Sequence, residues 1–277
     1  MHYTVLPPSP ALRSAVECFW RLEGIGAGLP AETIVPDGCM EIVLHLGDRF
    51  EQVAPCGTVA PQPRAFVVGQ MLRPLVVRPG ARVETWGIRF RPGGAAPFFR
   101  AGMQELTGRV VGLESLWGGD GERFAGRLFD ARTVPARRAV LEAILLAKRK
   151  APADPLATAA ARAIVATRGV ARTSVLAARA GVGRRQLERR FLRGVGIPPR
   201  RLARIVRFQH LFRLVDGRDG ANGAWADLAC AAGYYDQAHL LRDFREFADS
   251  TPPRFLAGQG EFSRLLTAPD RLDDLFG

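Results

Sequence analysis

Two short stretches carry the side chains best suited to recognition chemistry. In Arg184-Arg185-Gln186-Leu187-Glu188-Arg189-Arg190-Phe191-Leu192-Arg193, Leu187 and Phe191 lie four apart and define the inward face of a helix. That spacing leaves Arg184, Arg185, Glu188, Arg189 and Arg193 outside. Long side chains with hydrogen-bonding tips, gathered on one helix face, are what reaching a base edge in a DNA major groove requires. In Asp236-Gln237-Ala238-His239-Leu240-Leu241-Arg242-Asp243-Phe244-Arg245-Glu246-Phe247, Leu240 and Phe244 repeat the core spacing and Asp236 suits an N-cap. Gln237, His239, Leu241, Arg242 and Arg245 then face outward or partly outward. For each set the plain alternative is a solvated helix face.

The elements that would position these faces form a repeated grammar. A short helix after Thr173, with Val175, Leu176 and Ala180 toward a core, stops at Gly181; the turn Gly181-Val182-Gly183 follows, and the first arginine helix begins at once. A short helix, a Gly-containing turn and a second helix make a helix-turn-helix unit. Trp225 to Ala232, the turn Gly233-Tyr234-Tyr235 and the helix after Asp236 make a second one. Between them, Pro198 to about Val215 places Leu202, Ile205, Val206, Phe208, Gln209 and Phe212 at helical spacing, and Phe208 and Trp225 read as core. A helix of that length spans roughly 25 Å. With the reach of each unit added, the two recognition helices come to a separation near one DNA turn, roughly 34 Å. Arg200, Arg201, Arg204 and Arg207 are expected to divide between phosphate contacts and intramolecular pairs, and Asp227 either braces the fold or touches RNA polymerase.

Charge follows the same geography. The chain carries a formal +12, and Arg162 to Arg218 holds fifteen arginines against Glu188 and Asp216, a local +13 that leaves the rest near neutral. Such a block attracts polyanions. An apolar fraction of 47% with 24% charged residues fits a soluble globular protein. No apolar run approaches the roughly 18 residues of a spanning helix, and Met1 to Pro8 lacks a signal-peptide pattern, so a cytoplasmic protein with no membrane contact is expected. Cys18, Cys39, Cys56 and Cys230 and the four histidines are scattered, which predicts no disulfide framework, no metal site and no cofactor. Cys39, between Asp37 and Glu41, raises the alternative of a methyl-accepting thiol, but activation needs nearby cations or a metal, so no enzyme is expected.

The first half reads as strands: Met40 to Leu46, Ala65 to Gly69, Pro74 to Arg78 and Arg82 to Phe90, separated by Gly/Pro turns. In the last, Glu84, Trp86, Ile88 and Phe90 face one way and Val83, Thr85 and Arg89 the other. Trp86, Phe90, Phe98, Phe99 and Trp117 either fill a core or line an effector pocket. After Gly94 the period turns helical, notably from Pro135 to Arg149, where Val140, Ile144 and Leu145 share a stripe. Lys148 to Pro155 is the best linker, and Asp154 can cap a helix with Pro155 at its first position. The fold class is α+β in two domains. A β-rich barrel or sandwich-like domain (1–95) with a helical extension (96–150) precedes an all-α domain (151–258) with two helix-turn-helix units, and 259–277 forms a tail with Phe262, Leu265, Leu266, Leu272, Leu275 and Phe276.

Thr173 to Phe191, then Gly196-Ile197-Pro198-Pro199 and Arg204-Ile205-Val206-Arg207-Phe208-Gln209, resemble the first half of an AraC/XylS DNA-binding domain. Ala226-Asp227-Leu228-Ala229, Gly233 to Leu240, Phe244-Arg245 and Thr251-Pro252 resemble the second half. The likeness covers roughly 100 residues in order and, as for a paired unit, is more specific than a single helix-turn-helix. It implies base-reading roles for Arg185, Glu188 and Arg189, and for Gln237, Ala238, His239, Leu241 and Arg242. Gly183 stands where the family usually has a Ser cap, and Ala248-Asp249-Ser250 replaces a Gly-containing step. Val35 to Glu41 and Phe90 to Ala95 resemble segments of an uncharacterised N-terminal domain found on some of these regulators. By resemblance, that domain is cupin-like and binds a small-molecule effector or forms a homodimer. Two function classes follow: a sequence-specific regulator of double-stranded DNA, and a nonspecific architectural DNA binder.

Overall fold

The computed structural model describes residues 1–150, 152–216 and 225–260. Arg218 and the apolar residues of the expected tail lie outside the described residues. Two antiparallel sheets build the first domain. The strands are β1 (His2–Leu6), β2 (Val16–Ile25), β3 (Glu32–Ile34), β4 (Glu41–His45), β5 (Glu51–Val53), β6 (Val59–Pro61), β7 (Ala65–Val68), β8 (Leu75–Arg78), β9 (Arg82–Phe90) and β10 (Val110–Gly112). The larger sheet runs β1-β2-β9-β4-β7-β10 and the smaller β3-β8-β5-β6. Alternation along β9 sets the two faces as the sequence predicts. Trp86, Ile88 and Phe90 enter one core, while Val83 joins Trp20, Leu22, Phe50, Phe66 and Val77 in another. Trp20 on β2 pairs with Gly87 on β9, and a Cβ at Gly87 would lie 1.9 Å from the indole ring. That position excludes any side chain.

The Trp86 face is roofed by a 3-10 turn (Ala96–Phe98) and by α1 (Met103–Leu106), α2 (Leu113–Trp117), α3 (Gly119–Asp130) and α4 (Val134–Lys148). Phe90, Phe98, Phe99, Trp117 and Phe124 form a run of ring contacts there, Phe90 to Phe98 at 5.3 Å and Phe99 to Trp117 at 5.7 Å. These aromatics are therefore core, not pocket lining. The segment 96–150 is not wholly helical: β10 returns to pair with β7 and completes the sheet edge. Leu141 and Leu145 are the buried apolar residues of α4, with Val140 and Ile144 only partly covered.

The second domain is helical throughout its described residues: α5 (Pro155–Ala166), α6 (Thr173–Arg179), α7 (Arg184–Val195), α8 (Pro199–Asp216), α9 (Trp225–Ala231), α10 (Gln237–Ala248) and α11 (Pro252–Gly258). Asp154 caps α5 through Leu156 N and Ala157 N at 2.9 and 3.2 Å. The inward residues of α6 differ from expectation. Leu176 and Ala177 are buried, whereas Val175 is 45% exposed and Ala180 is exposed, because a seven-residue helix held at one side shows the core only a narrow stripe. Leu187, Phe191, Leu240 and Phe244 are all buried. Asp249 takes a left-handed conformation (φ 49°) as the C-cap of α10, so an aspartate does what glycine commonly does at that step.

The boundary near residue 151 divides the chain more clearly than the packing. Val35 of the first domain belongs to the helical domain's core. Gln209 Nε2 donates to the Pro36 carbonyl at 2.7 Å, Thr107 Oγ1 donates to the Gly196 carbonyl at 2.7 Å, and Arg201 donates to the Leu72 carbonyl at 2.5 Å. Gly38, at φ +81°, leaves room for Leu202, whose Cδ1 would lie 2.6 Å from a Cβ there.

Two stability tests follow. Arg190 forms a pair with Asp154 at 2.6 and 2.8 Å, and that guanidinium holds the Asp154 carboxyl below its ordinary value. Asp154→Asn keeps the cap and loses only the charged pair, so the cost should stay within about 1 kcal/mol. Asp154→Ala loses both and should cost about 1–2 kcal/mol more by denaturant unfolding at pH 7. The Asn-variant difference should vanish as pH falls through the depressed Asp154 value. His45 and His210 are lowered to about 4, chiefly by burial, and are neutral in the fold. The unfolded chain therefore takes up more protons below about 6.5. Stability should be fully present above that pH and decline steadily toward pH 4 in a thermal-melt series.

Candidate nucleic-acid interface

Helix α7 shows the polarity its sequence requires. Leu187 and Phe191 are fully buried, while Arg184, Arg185, Arg189 and Arg193 are exposed. Gly183 provides the extended N-cap residue with no side-chain cap, so the first amides of α7 receive no protein side chain there. Glu188 is half-buried and accepts from Arg184 Nε at 2.9 Å, a pairing one turn apart along one helix face. Arg190 points the other way, to Asp154, and is structural.

On α10 the Asp236 carboxylate accepts from His239 N at 2.6 Å and fixes the helix start. Gln237, Ala238, Arg242 and Arg245 are exposed. Leu241 is half-buried and packs against the helical core, so its role is divided. The His239 ring meets Tyr234 edge to face at 5.2 Å, and burial with Arg207, Arg242 and Arg204 lowers its pKa against the opposing pull of Asp243.

An open groove of about 1080 Å³ connects the two units. Arg184 from α7 and His239 and Arg242 from α10 line it together, with Arg200 and Arg207 from α8 between them. Arg185, Arg189, Arg193, Gln237, Ala238 and Arg245 stand on exposed helix faces and do not line it. Arg200, Arg201, Arg204 and Arg207, the first four arginines of α8, separate clearly. Arg200 is exposed. Arg201 and Arg204 bond Glu246, Arg204 also bonds Asp243 at 2.6 Å, and Arg207 donates to the Gly169 carbonyl and stacks over Tyr234. Three of them thus brace α8 against its neighbours. Arg172, Thr173 and Ser174 also line the groove, at the start of α6. Their side-chain pattern gives no periodic signal, and only their place at the first helix of a helix-turn-helix unit points to them.

Cys39 is buried, and burial together with Glu17, Asp37 and Glu41 raises its thiol well above the usual value in spite of Arg89. This is the opposite of an activated thiolate. Among the described residues no cluster of His, Cys, Asp and Glu could hold a metal ion, and no helix is long and apolar enough to cross a membrane.

These features define a class: two helix-turn-helix units on one helical domain behind a β-rich domain. Residues 176–258 match the family model described as a helix-turn-helix domain, and residues 4–112 match one described as a domain of unknown function, DUF6597. The chain thus carries an AraC-type helix-turn-helix domain on its C-terminal side, behind an N-terminal domain of unknown function. No match was found among curated proteins. Solved structures similar to it include ToxT from Vibrio cholerae, 9% identical over 93% of this chain and 98% of that one, with a TM-score of 0.48. Another is unsaturated fatty acid-bound ToxT from Vibrio cholerae, 11% identical over 93% and 95%, with a TM-score of 0.45.

His239 supplies a direct check on the interface. Its imidazole should titrate below the ordinary value of about 6.5 in an NMR pH series. A value at or above that would mean the ring lies free of the Tyr234 packing.

Proposed function

We propose that this protein reads a specific double-stranded DNA sequence by placing the N-terminal halves of α7 and α10 in successive major grooves. The observation that supports this most is the arginine-lined groove shared by Arg184, His239 and Arg242, which sets outward residues of both recognition helices on one continuous surface. Arg185, Glu188 and Arg189 on α7, and Gln237, Ala238, His239, Leu241 and Arg242 on α10, are the base readers in this reading. Arg193 and Arg245, at the far ends of the same faces, meet phosphates or bases nearby, as Arg200 meets phosphate. Arginine-phosphate attraction brings the chain to DNA, and base-edge contacts then select the site. The β-rich domain controls access to that state by effector binding or by forming a homodimer, and any contact with RNA polymerase follows from the bound site. The protein acts in the cytoplasm.

Because Val35 completes the helical core, the test uses the full chain. Selection from a random duplex library at two salt concentrations should return two short blocks about one helical turn apart, favoured over random DNA by at least about 10³. Salt-sensitive binding with no enriched sequence would replace this reading with architectural binding. Arg189→Ala and Arg242→Ala should each relax preference at one or two base pairs and cost about 1–3 kcal/mol on the selected site. A loss spread evenly over all sequences would reassign them to phosphate contact.

A further inference from the structure

The bend between β7 and β8 brings the first domain to the rim of the arginine-lined groove. Gln70 fixes where it begins: its Nε2 donates to the Gly38 carbonyl at 2.9 Å, and its own carbonyl accepts from Gly108 N at 2.8 Å. Leu75 fixes where it ends, in register with Ile34 across β8 and β3. Between these points the Leu72 carbonyl accepts from Arg201 at 2.5 Å. Arg201 lines the groove, and the same guanidinium bonds Glu246 and lies 4.7 Å from the centre of the Phe247 ring, both on α10. One side chain therefore ties the bend to the connecting helix and to the second recognition helix together.

Arg73 is the next residue along. Its Cα lies about 3.8 Å from that of Leu72, so the anchored rim and the Arg73 backbone are neighbours. Its side chain is exposed and, among the described residues, pairs with no acid. Arg201 is different: Glu246 and a carbonyl hold it within the protein. On the α8 side, Arg200 is exposed and lines the groove one residue from the same anchor. Two solvent-facing cations, one from each domain, thus flank Arg201. A DNA strand carries one negative charge per about 3.4 Å of helix axis, so a duplex lying over the groove offers a row of partners to both. The partner is phosphate and not a base edge, because the bend lies off the two helices that would occupy the major grooves.

We propose that Arg73 of the β-rich domain contacts the DNA backbone, so that the first domain supplies a phosphate contact of its own beside the two helix-turn-helix units. The proposal rests on the reading of the groove as the DNA surface and extends that surface across the domain boundary. Little backbone ordering is required on binding, since the chain on both sides of Arg73 is held before DNA arrives.

Binding of the full chain to the selected duplex, or to a random duplex of about 30 base pairs if selection enriches none, is measured between about 50 and 200 mM salt. Loss of one phosphate contact lowers the slope of log K against log salt by about 0.9. Arg73→Ala should show that drop, its deficit against wild type shrinking about 3.5-fold across the range. Arg73→Lys should keep the slope, and neither variant should change the preferred sequence, as a phosphate contact requires. Ethylation interference should lose one or two phosphates in Arg73→Ala and keep the rest. An unchanged slope overturns the proposal. So does an equal loss in Arg123→Ala on α3, which contributes nothing to the groove, since net charge alone would then explain the effect. Salt-dependent binding by wild type with no Arg73 effect removes this contact alone, whereas a wild type that binds no DNA removes the groove reading with it.

Discussion

The burial of α8 is the constraint on which the rest of this molecule depends. A helix on the surface of a globular protein needs an apolar stripe on one side only. In α8, Leu202, Ala203, Ile205, Val206, Phe208, Gln209, Leu211 and Phe212 are all buried, so apolar and amide side chains leave it in nearly every direction. One side meets the first helix-turn-helix unit. Another holds Phe244 and Phe247 of the second, with Phe208 5.0 and 5.4 Å from their rings. A third meets Gly38 and Pro36 of the β-rich domain. Three bodies converge on one rod, and none can shift far without disturbing contacts of the other two.

The arginines of α8 make the same point in charge. Arg201 and Arg204 approach Phe247 face-on and reach Asp243 and Glu246, all on α10. Asp243 is 1% exposed in its side chain, and a carboxylate so deep is tolerable only with a cation held against it. The second recognition helix is therefore clamped to the connecting helix by buried charge. Among the described residues the outward arginines of α7 meet no such restraint: Arg184 pairs along its own helix and stays 68% exposed. Guanidinium groups spread over this block serve two ends, bracing the protein where acids answer them and remaining available to phosphate where none do.

Much of the helical domain was legible in the sequence because its determinants are local. Leu187 with Phe191, and Leu240 with Phe244, are four-residue spacings; Asp154 and Asp236 are caps two or three residues from the amides they serve. The strand β9 was legible for the same reason, since alternation is a property of neighbours. Val175 was misplaced because a two-turn helix has too few residues to define its stripe. The edge strand β10 was missed because three residues within a helical stretch carry no alternation. Long-range contacts were illegible in principle: Gln209 and Pro36 are 173 residues apart, and no periodicity connects them. A cavity of about 80 Å³ between the two sheets combines residues of β2, β3, β4, β7, β8 and β9 with Gln209 of α8, so it exists only after both domains have folded and docked.

That late assembly bears on how control can work. A pocket closed by one domain alone would report its occupancy only through the shape of that domain. Here a wall residue belongs to the helix on which both recognition units are mounted, and its amide spans the boundary by a single 2.7 Å bond. The clamp to α10 and the core shared with α7 mean that a displacement of α8 is shared by both reading heads at once. A small change at Gln209 thus need not travel along a chain of side chains to alter groove spacing. Under the proposed function it acts on α8, the element packed against both recognition helices.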